Sequence, residues 1–182
     1  MGEIESKCLD AFPEWLKSLA ADARELASVL GAEELPLAAR QHLAGALNYL
    51  FKSLDLVPDG IEDLGFLDDA FILRVAAAHA RAAGGDELGD RGATLERLGS
   101  DTALIRDFLG SDYARLERYE AGLSQTTARG RSVEAIVQDA EVRNELVRDV
   151  AAWAESYGPP TFLRDEKSLV RLRAFLGTRL PQ

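Results

Sequence analysis

The chain has 182 residues, of which 47% are hydrophobic, and its formal net charge is −10. This length and composition suffice for one domain with a substantial core, or for a core with an appended helical unit. Binding to the phosphate backbone of nucleic acids needs clustered cations, so the acidic balance excludes nucleic acid as a partner.

The residue types predict an all-α fold, a multi-helix bundle built around a central helical hairpin. Strong helix formers dominate, while β-branched residues are sparse and seldom alternate with polar ones. The N-terminus lacks the basic-then-apolar order of a signal peptide, and no apolar run approaches the roughly 20 residues that span a bilayer. Cys8 is the only cysteine, which excludes an intrachain disulfide. We therefore expect a soluble cytoplasmic protein.

Two helices are predicted before the most acidic part of the chain. The first runs over 13–30, because Pro13 suits a first helical position and Gly31 suits the end of a helix. The second runs over 36–53 and carries a seam of leucines that should face the core.

The next segment is the most acidic, since residues 55–90 carry nine acidic residues against two basic ones, a balance of −7. Pro58 disfavours helical geometry just before it, so the second helix must already have ended. Asp59 and Glu62 have the spacing of a capping box for a short helical turn, which Gly65 then closes.

The third helix is predicted over 67–83. It opens with Asp68 and Asp69, where the positive end of the helix dipole favours anions, and it is apolar nearly all round, which is typical of a buried central helix. The glycine-rich segment 84–90 predicts a surface loop between two parts. These parts are an N-terminal region (1–90), which contains the hairpin (36–83), and a C-terminal helical region (91–182) packed on it. A single domain is the alternative.

The C-terminal part carries further helical patterns with capping residues at their ends. Asn144 falls on the apolar stripe of the longest of these helices, where a polar residue can set register. The predicted elements are helices over 94–98, 101–109 and 111–122, a polar connector over 123–131, a long helix over 132–157, and a final amphipathic helix over 164–180.

The segment from Ala46 to Phe71 resembles the YkvA-like domain of unknown function. The hallmark of that family is a helix, an Asp-Leu-(Ile/Val)-Pro-Asp loop, a glycine and an Asp-Asp pair that opens a second helix. The matching residues here are Asp55, Leu56, Val57, Pro58, Asp59, Gly65, Asp68 and Asp69. A proline that often precedes the first Asp, and another that follows the second, are absent. The resemblance covers about residues 36–83 and implies a helical hairpin module of bacterial proteins, without a known reaction.

The carboxylates of this segment have two interpretations. In the first they are structural, since carboxylates at turns and helix ends each offset about 1 kcal/mol of unsatisfied backbone N–H groups. In the second, Asp55, Asp59, Asp68 and Asp69 converge on Mg²⁺ or Ca²⁺, which prefer oxygen ligands. The structural interpretation is favoured, because capping explains each position and the spacing is not that of an EF-hand.

Arg74 is the one charged residue in the apolar part of the third helix. If it is buried it needs a carboxylate, and the nearest in sequence are Asp55 and Asp59. We therefore predict that Arg74 holds the acidic loop to the hairpin, together with structural roles for Pro58 and Gly65. The alternative is an arginine whose charged end reaches solvent.

His42 and His79 are predicted to lie at the same level of the antiparallel hairpin. With a carboxylate they could form a metal site, although two histidines alone are too few ligands for tight binding. Cys8 is predicted to lie in a frayed terminus without a neighbouring histidine, so nucleophilic catalysis has little support.

These patterns favour a non-catalytic structural or protein-interaction module, without a cofactor, that binds another protein or a second copy of itself. The first alternative is a function that depends on Mg²⁺ or Ca²⁺ at the acidic loop. The second is peripheral association of the C-terminal amphipathic helix with an anionic membrane surface. For that helix, packing on the bundle is favoured over membrane contact because few net positive charges are available.

Overall fold

A computed structural model describes residues 1–61, 63–84 and 88–182 of the chain. Within these residues the protein is an all-α bundle with one short β-hairpin, which confirms the predicted fold class. Its helices are α1 (Glu3–Leu30), α2 (Leu37–Tyr49), α3 (Leu67–Gly84), α4 (Asp90–Ser100), α5 (Thr102–Leu109), α6 (Tyr113–Gly122), α7 (Val133–Gln138), α8 (Ala140–Ser156) and α9 (Glu166–Arg179), and its strands are β1 (Thr127–Ala128) and β2 (Arg131–Ser132).

Helix α1 begins at Glu3, well before the predicted start. Pro13 lies inside the helix, so the prediction that it is the first helical residue is wrong. The missing N–H of a proline removes one hydrogen bond of the helix. Burial of Cys8 and Phe12 offsets this loss, and the ring centroid of Phe12 lies 5.1 Å from that of Phe71 in the core. Tertiary packing therefore holds the first turns of α1 in place.

The central hairpin consists of α2 and α3, which pack directly against each other. Helix α2 ends at Tyr49, short of the predicted end at Ser53, and the backbone N–H of Lys52 closes a turn onto the carbonyl of Tyr49 (3.0 Å). Helix α3 has the predicted extent and is buried along most of its length, with contacts to α1, α2, α4, α5 and α6. It is the central helix of the bundle.

Helix α4 lies close against α3. A Cβ atom at Gly99 would lie 3.0 Å from the Cα atom of Ala78, so the absence of a side chain permits this close approach. The predicted surface loop over 84–90 connects these two helices, and its residues 85–87 lie outside the described residues.

The long helix predicted over 132–157 is two helices, α7 and α8. Between them Asp139 has an extended backbone (φ −112°, ψ 117°), and its carboxylate accepts a hydrogen bond of 2.8 Å from a backbone N–H in the first turn of α8. An aspartate in this position stabilises a new helix start. Asn144 is exposed, so the prediction that it lies on the apolar stripe is wrong, and Leu146 and Val150 lie on the buried face instead.

The predicted polar connector contains the β-hairpin, in which Thr127 pairs with Ser132. Arg129 (φ 50°) and Gly130 (φ 73°) form its two-residue turn. Positive φ angles at both positions are those of the turn type that best matches the twist of paired strands.

Helix α9 packs on the bundle, the favoured alternative for this segment. Its arginines contact the chain itself: Arg171 pairs with Asp63 (2.7 Å), and Nε of Arg173 donates to the carbonyl of Phe108 (3.1 Å). Among the described residues, no helix combines the length and the apolar character needed to cross a bilayer. Contact with a membrane surface stays a prediction. The buried leucines of this helix are Leu169, Leu172 and Leu176.

Candidate functional site

The loop between α2 and α3 is held by the hydroxyl group of Tyr49, the last residue of α2. This hydroxyl donates a hydrogen bond to Oδ2 of Asp68 (2.5 Å) and accepts one from the backbone N–H of Leu56 (2.7 Å). The same oxygen of Asp68 accepts a hydrogen bond from the backbone N–H of Val57 (3.1 Å). Groups from α2, from the loop and from α3 therefore meet at one carboxylate.

The loop continues into a tight turn between Pro58 and Gly65. The carbonyl of Pro58 accepts a hydrogen bond from the N–H of Ile61 (3.0 Å), and the N–H of Gly65 donates to the carbonyl of Ile61 (2.8 Å). A Cβ atom at Gly65 would collide with the carbonyl oxygen of Asp59, so this close approach requires glycine. Glu62, the predicted capping partner of Asp59, lies outside the described residues.

Three of the four predicted cation ligands converge, and we call Asp59, Asp68 and Asp69 the acidic cluster. One carboxylate oxygen of each lies within 4.8 Å of those of the other two. Asp68 is 0% exposed and Asp69 is 3% exposed, while Asp59 reaches solvent. Oδ1 of Asp68 and Oδ2 of Asp69 are buried and have no hydrogen-bond partner. Asp55, the fourth predicted ligand, is outside this cluster but close enough for its charge to act on it.

Burial and mutual repulsion disfavour the charged forms of these carboxyl groups. Burial raises the pKa of Asp68 to about 6, although the hydrogen bonds that it accepts act in the opposite direction. The pKa of Asp69 lies well above its ordinary value because of burial and the charges of Asp68, Asp59 and Asp55. Desolvation, followed by the charges of Asp68 and Asp59, raises the pKa of Asp55 to about 7.

Nearby basic side chains have other partners. Arg171 pairs with Asp63 at 2.7 Å, and Nη1 of Arg179 donates to the backbone carbonyl of Asp55 at 3.1 Å. Across residues 1–61, 63–84 and 88–182, no ion pair reaches the acidic cluster. No cationic side chain of the described residues therefore balances the charges of the cluster.

The sequence model of a protein family described as "Protein of unknown function (DUF1232)" matches residues 42–74. This span contains the whole acidic cluster and the loop that positions it. Residues 42–74 therefore match the YkvA-like domain of unknown function, and we call this span the YkvA-like domain. The resemblance predicted from the loop and the Asp-Asp pair is thereby confirmed. No curated protein and no solved structure matches the chain.

Arg74, at the end of the YkvA-like domain, is 1% exposed and paired, but not with the acidic loop. Its Nε donates to Oδ2 of Asp101 (2.9 Å), and its Nη2 donates to Oδ2 of Asp22 (3.4 Å). The prediction that it reaches Asp55 or Asp59 is therefore wrong, because its side chain faces α1 and the junction of α4 and α5. Arg74 joins the YkvA-like domain to helices on either side of it in sequence.

His42 and His79 lie at the same level of the hairpin, as predicted, with ring centroids 4.9 Å apart. Both contact Glu120 of α6: Nδ1 of His42 lies 3.0 Å from Oε1, and Nδ1 of His79 lies 2.5 Å from Oε2. Sequence reasoning missed Glu120, which lies 41 residues from the nearer histidine along the chain. We call His42, His79 and Glu120 the histidine cluster.

Cys8 is buried within α1, so the prediction of a frayed terminus is wrong. Burial raises the pKa of its thiol to about 12. Because the thiolate is the nucleophile, a thiol with this pKa is unreactive near neutral pH.

Proposed function

We propose that the YkvA-like domain binds a hard divalent cation of the Mg²⁺ or Ca²⁺ class at the acidic cluster, and that the protein is a non-catalytic structural module. One observation carries the proposal. Two almost fully buried carboxylates, Asp68 and Asp69, each keep an oxygen without a hydrogen-bond partner, and each stands next to another carboxylate.

The negative charges of such buried carboxylates must be neutralised. An unpaired carboxylate taken out of water costs several kcal/mol, so it either takes up a proton or binds a cation. A proton neutralises one carboxyl group only, whereas a divalent cation acts on all three charges of the cluster at once. Hydrogen bonds from Tyr49 and from the N–H of Val57 hold Asp68 in place before any ligand arrives.

The donor set selects the class of cation. All donors in the cluster are carboxylate oxygens, which suit Mg²⁺ and Ca²⁺, and Asp59 reaches solvent and provides a path of entry. Water completes the coordination shell, as is usual for Mg²⁺ at sites with few carboxylates. A cation held between Asp59 and the first turn of α3 would lock the loop onto the hairpin, which is a structural role.

The test is thermal unfolding of the metal-free full chain with added Mg²⁺ or Ca²⁺. At about 100 times the dissociation constant, a specific site raises the Tm of a protein of this size by roughly 5–10 °C. Asp69→Asn should remove that rise and should also raise the Tm in EDTA, because it deletes a buried carboxyl group whose charged form is disfavoured. Asp59→Asn should remove the rise with little change of the Tm in EDTA, because Asp59 is exposed.

Asp63→Asn is the matched control. Asp63 lies in the same acidic stretch, but it is paired with Arg171 (2.7 Å) and is not part of the cluster. This variant should lose some stability and keep the full cation response. The proposal is wrong if neither cation shifts the Tm of the unsubstituted chain, or if the Asp69→Asn variant responds as strongly as the Asp63→Asn variant.

The predicted interaction with a protein partner is a second candidate function. Leu54, next to the half-buried Asp55, is 79% exposed, so the loop that the cation would lock also presents an apolar side chain. Leu54→Asp should weaken self-association or partner binding without changing the cation response. Analytical ultracentrifugation of the unsubstituted protein and of the Leu54→Asp variant, with and without Mg²⁺, tests self-association directly.

A further inference from the structure

The histidine cluster brings together side chains from three helices. His42 comes from α2, His79 from α3 and Glu120 from α6, and one ligand atom of each lies within 4.8 Å of the other two. Of these residues only His42 lies within 42–74, at its first position. The cluster is therefore a property of the whole bundle rather than of the YkvA-like domain alone.

Glu120 is the unusual member of the cluster. Its side chain is fully buried, and the contacts of its two oxygens within the described residues are the Nδ1 atoms of the two histidines. A buried carboxylate usually has an arginine or a lysine as its partner. Here the partners among the described residues are imidazoles, which are charged only after they take up a proton.

We propose that His42, His79 and Glu120 bind a transition-metal ion of the Zn²⁺ class. Two imidazole nitrogens and one carboxylate oxygen are a ligand set that Zn²⁺ takes in proteins, with one position left for water. In tetrahedral coordination the ligand atoms lie roughly 3.3 Å apart, given metal–ligand bonds of about 2.0–2.1 Å. Oε2 of Glu120 lies 3.1 Å from Nδ1 of His42, which is already close to that separation. The same oxygen lies 2.5 Å from Nδ1 of His79, and this distance would increase by less than an ångström.

A second carboxylate supports this assignment. Nδ1 of His79 faces Glu120, and the opposite ring nitrogen, Nε2, lies 3.6 Å from Oε1 of Glu117. Histidines that bind metals usually donate their other N–H to a carboxylate, which fixes the tautomer and orients the ring. Glu117 is one turn from Glu120 on α6, and its carboxylate must move closer by a few tenths of an ångström to accept this N–H.

Both imidazoles are also accessible to an incoming ion. The side chains of His42 and His79 are 25% and 27% exposed, while that of Glu120 is at the bottom of the cluster. Nitrogen ligands favour Zn²⁺ and related ions over Mg²⁺ and Ca²⁺, so this cluster and the acidic cluster should select different metals.

Co²⁺ serves as a spectroscopic probe for the site. The metal-free full chain, titrated with Co²⁺, should develop the visible absorption bands of a tetrahedral nitrogen- and oxygen-ligated ion, and one equivalent of Zn²⁺ should abolish them. Competition gives the Zn²⁺ affinity. His42→Gln and His79→Gln should each abolish the bands and weaken Zn²⁺ binding at least about 100-fold, because two ligands remain.

Two further variants distinguish the three ligands from an outer partner and from the acidic cluster. Glu117→Gln keeps all three ligands and should weaken Zn²⁺ binding about 10–100-fold, the usual effect of losing an outer partner. Asp59→Asn should leave Zn²⁺ binding unchanged and lose only the response to Mg²⁺ or Ca²⁺, so failure of one metal site is distinguishable from failure of the other. Circular dichroism verifies folding, and His42→Gln is the decisive variant because His42 is partly exposed.

The absence of visible Co²⁺ bands together with the absence of a Zn²⁺-dependent rise in Tm would overturn the assignment. So would Zn²⁺ binding of unchanged affinity in the folded His42→Gln variant, because the ion would then lie elsewhere. In either case the three side chains form a polar contact between α2, α3 and α6.

Discussion

Helix α3 carries two groups of buried ionisable side chains, of which one has oppositely charged partners and the other has none among the described residues. In the acidic cluster, Asp68 and Asp69 meet another carboxylate and no basic side chain of the described residues. In the second group, Arg74 is paired with Asp22 and Asp101, and its guanidinium carbon lies 4.3 Å from the centre of the Trp15 ring. The two groups lie little more than one helical turn apart.

The difference lies in whether the charge of each group is balanced. Arg97 also pairs with Asp22, at 3.1 Å, so the group around Arg74 contains cations and anions in contact and needs nothing from solution. The acidic cluster contains carboxyl groups only. A buried group with balanced charges can stabilise the fold by itself, whereas a group with unbalanced charges must bind a cation or take up a proton.

The largest expected effect comes from breaking the balanced group. Arg74→Met should destabilise the protein by about 3 kcal/mol, because it leaves Asp22, which is 2% exposed, with a weaker set of partners. Chemical denaturation measures the loss. Adding Asp22→Leu should restore part of the stability, since the buried charge is then gone. An unchanged free energy of unfolding in the single variant would contradict the role assigned to Arg74.

The acidic cluster should make the free energy of unfolding depend on pH. The folded-state pKa of Asp68 is raised from 3.8 to about 6, so its contribution to stability is fully present below pH 3.8 and is lost as the pH rises through about 6. In EDTA the titration of this carboxyl group should lower the free energy of unfolding by ~2 kcal/mol between about pH 4 and pH 7. Saturating Mg²⁺ or Ca²⁺ should flatten this fall, whereas an equally steep fall with bound cation would contradict the proposed site.

A smaller effect should follow from Tyr49→Phe, which deletes the hydroxyl that bonds to Asp68 and Leu56. The loss of two buried hydrogen-bond partners should cost about 2 kcal/mol and weaken the cation response, because Asp68 is no longer held. Tyr119→Phe is the matched control: its hydroxyl accepts one hydrogen bond, from Lys52 (3.0 Å), in a partly exposed position. Equal losses in both variants would indicate that the Tyr49 hydroxyl has no special role.

Parts of this fold could be predicted from sequence because local patterns determine them. Helix α3 is apolar nearly all round and bounded by glycines, so its extent and its central position were predicted. The split at Asp139 was missed because the apolar period continues through it, although an aspartate before a helical segment is a capping signal. The β-hairpin was missed because Arg129-Gly130 is not one of the common dipeptides of such turns.

The site was predictable to the extent that its members are close in sequence. Asp59, Asp68 and Asp69 lie within one loop and one helix start, and their convergence follows from local geometry. The sequence left the burial of Arg74 open, and its partners could not be predicted, because Asp22 lies 52 residues away and Asp101 lies 27 residues away. Glu120 was beyond prediction for the same reason, since only the packing of α6 brings it to the histidines.

The hydrogen bonds of the Tyr49 hydroxyl also bear on whether this segment can be moved into another protein. Tyr49, Leu56, Val57 and Asp68, the groups that shape the loop, all lie within the matched span 42–74. We expect the hydrogen bonds around Asp68 to survive transfer of the span into another helical host, although the contacts of Arg171 with Asp63 and of Arg179 with the carbonyl of Asp55 would be lost. The salt bridges of Arg74, in contrast, reach outside the span and must be rebuilt in every new host.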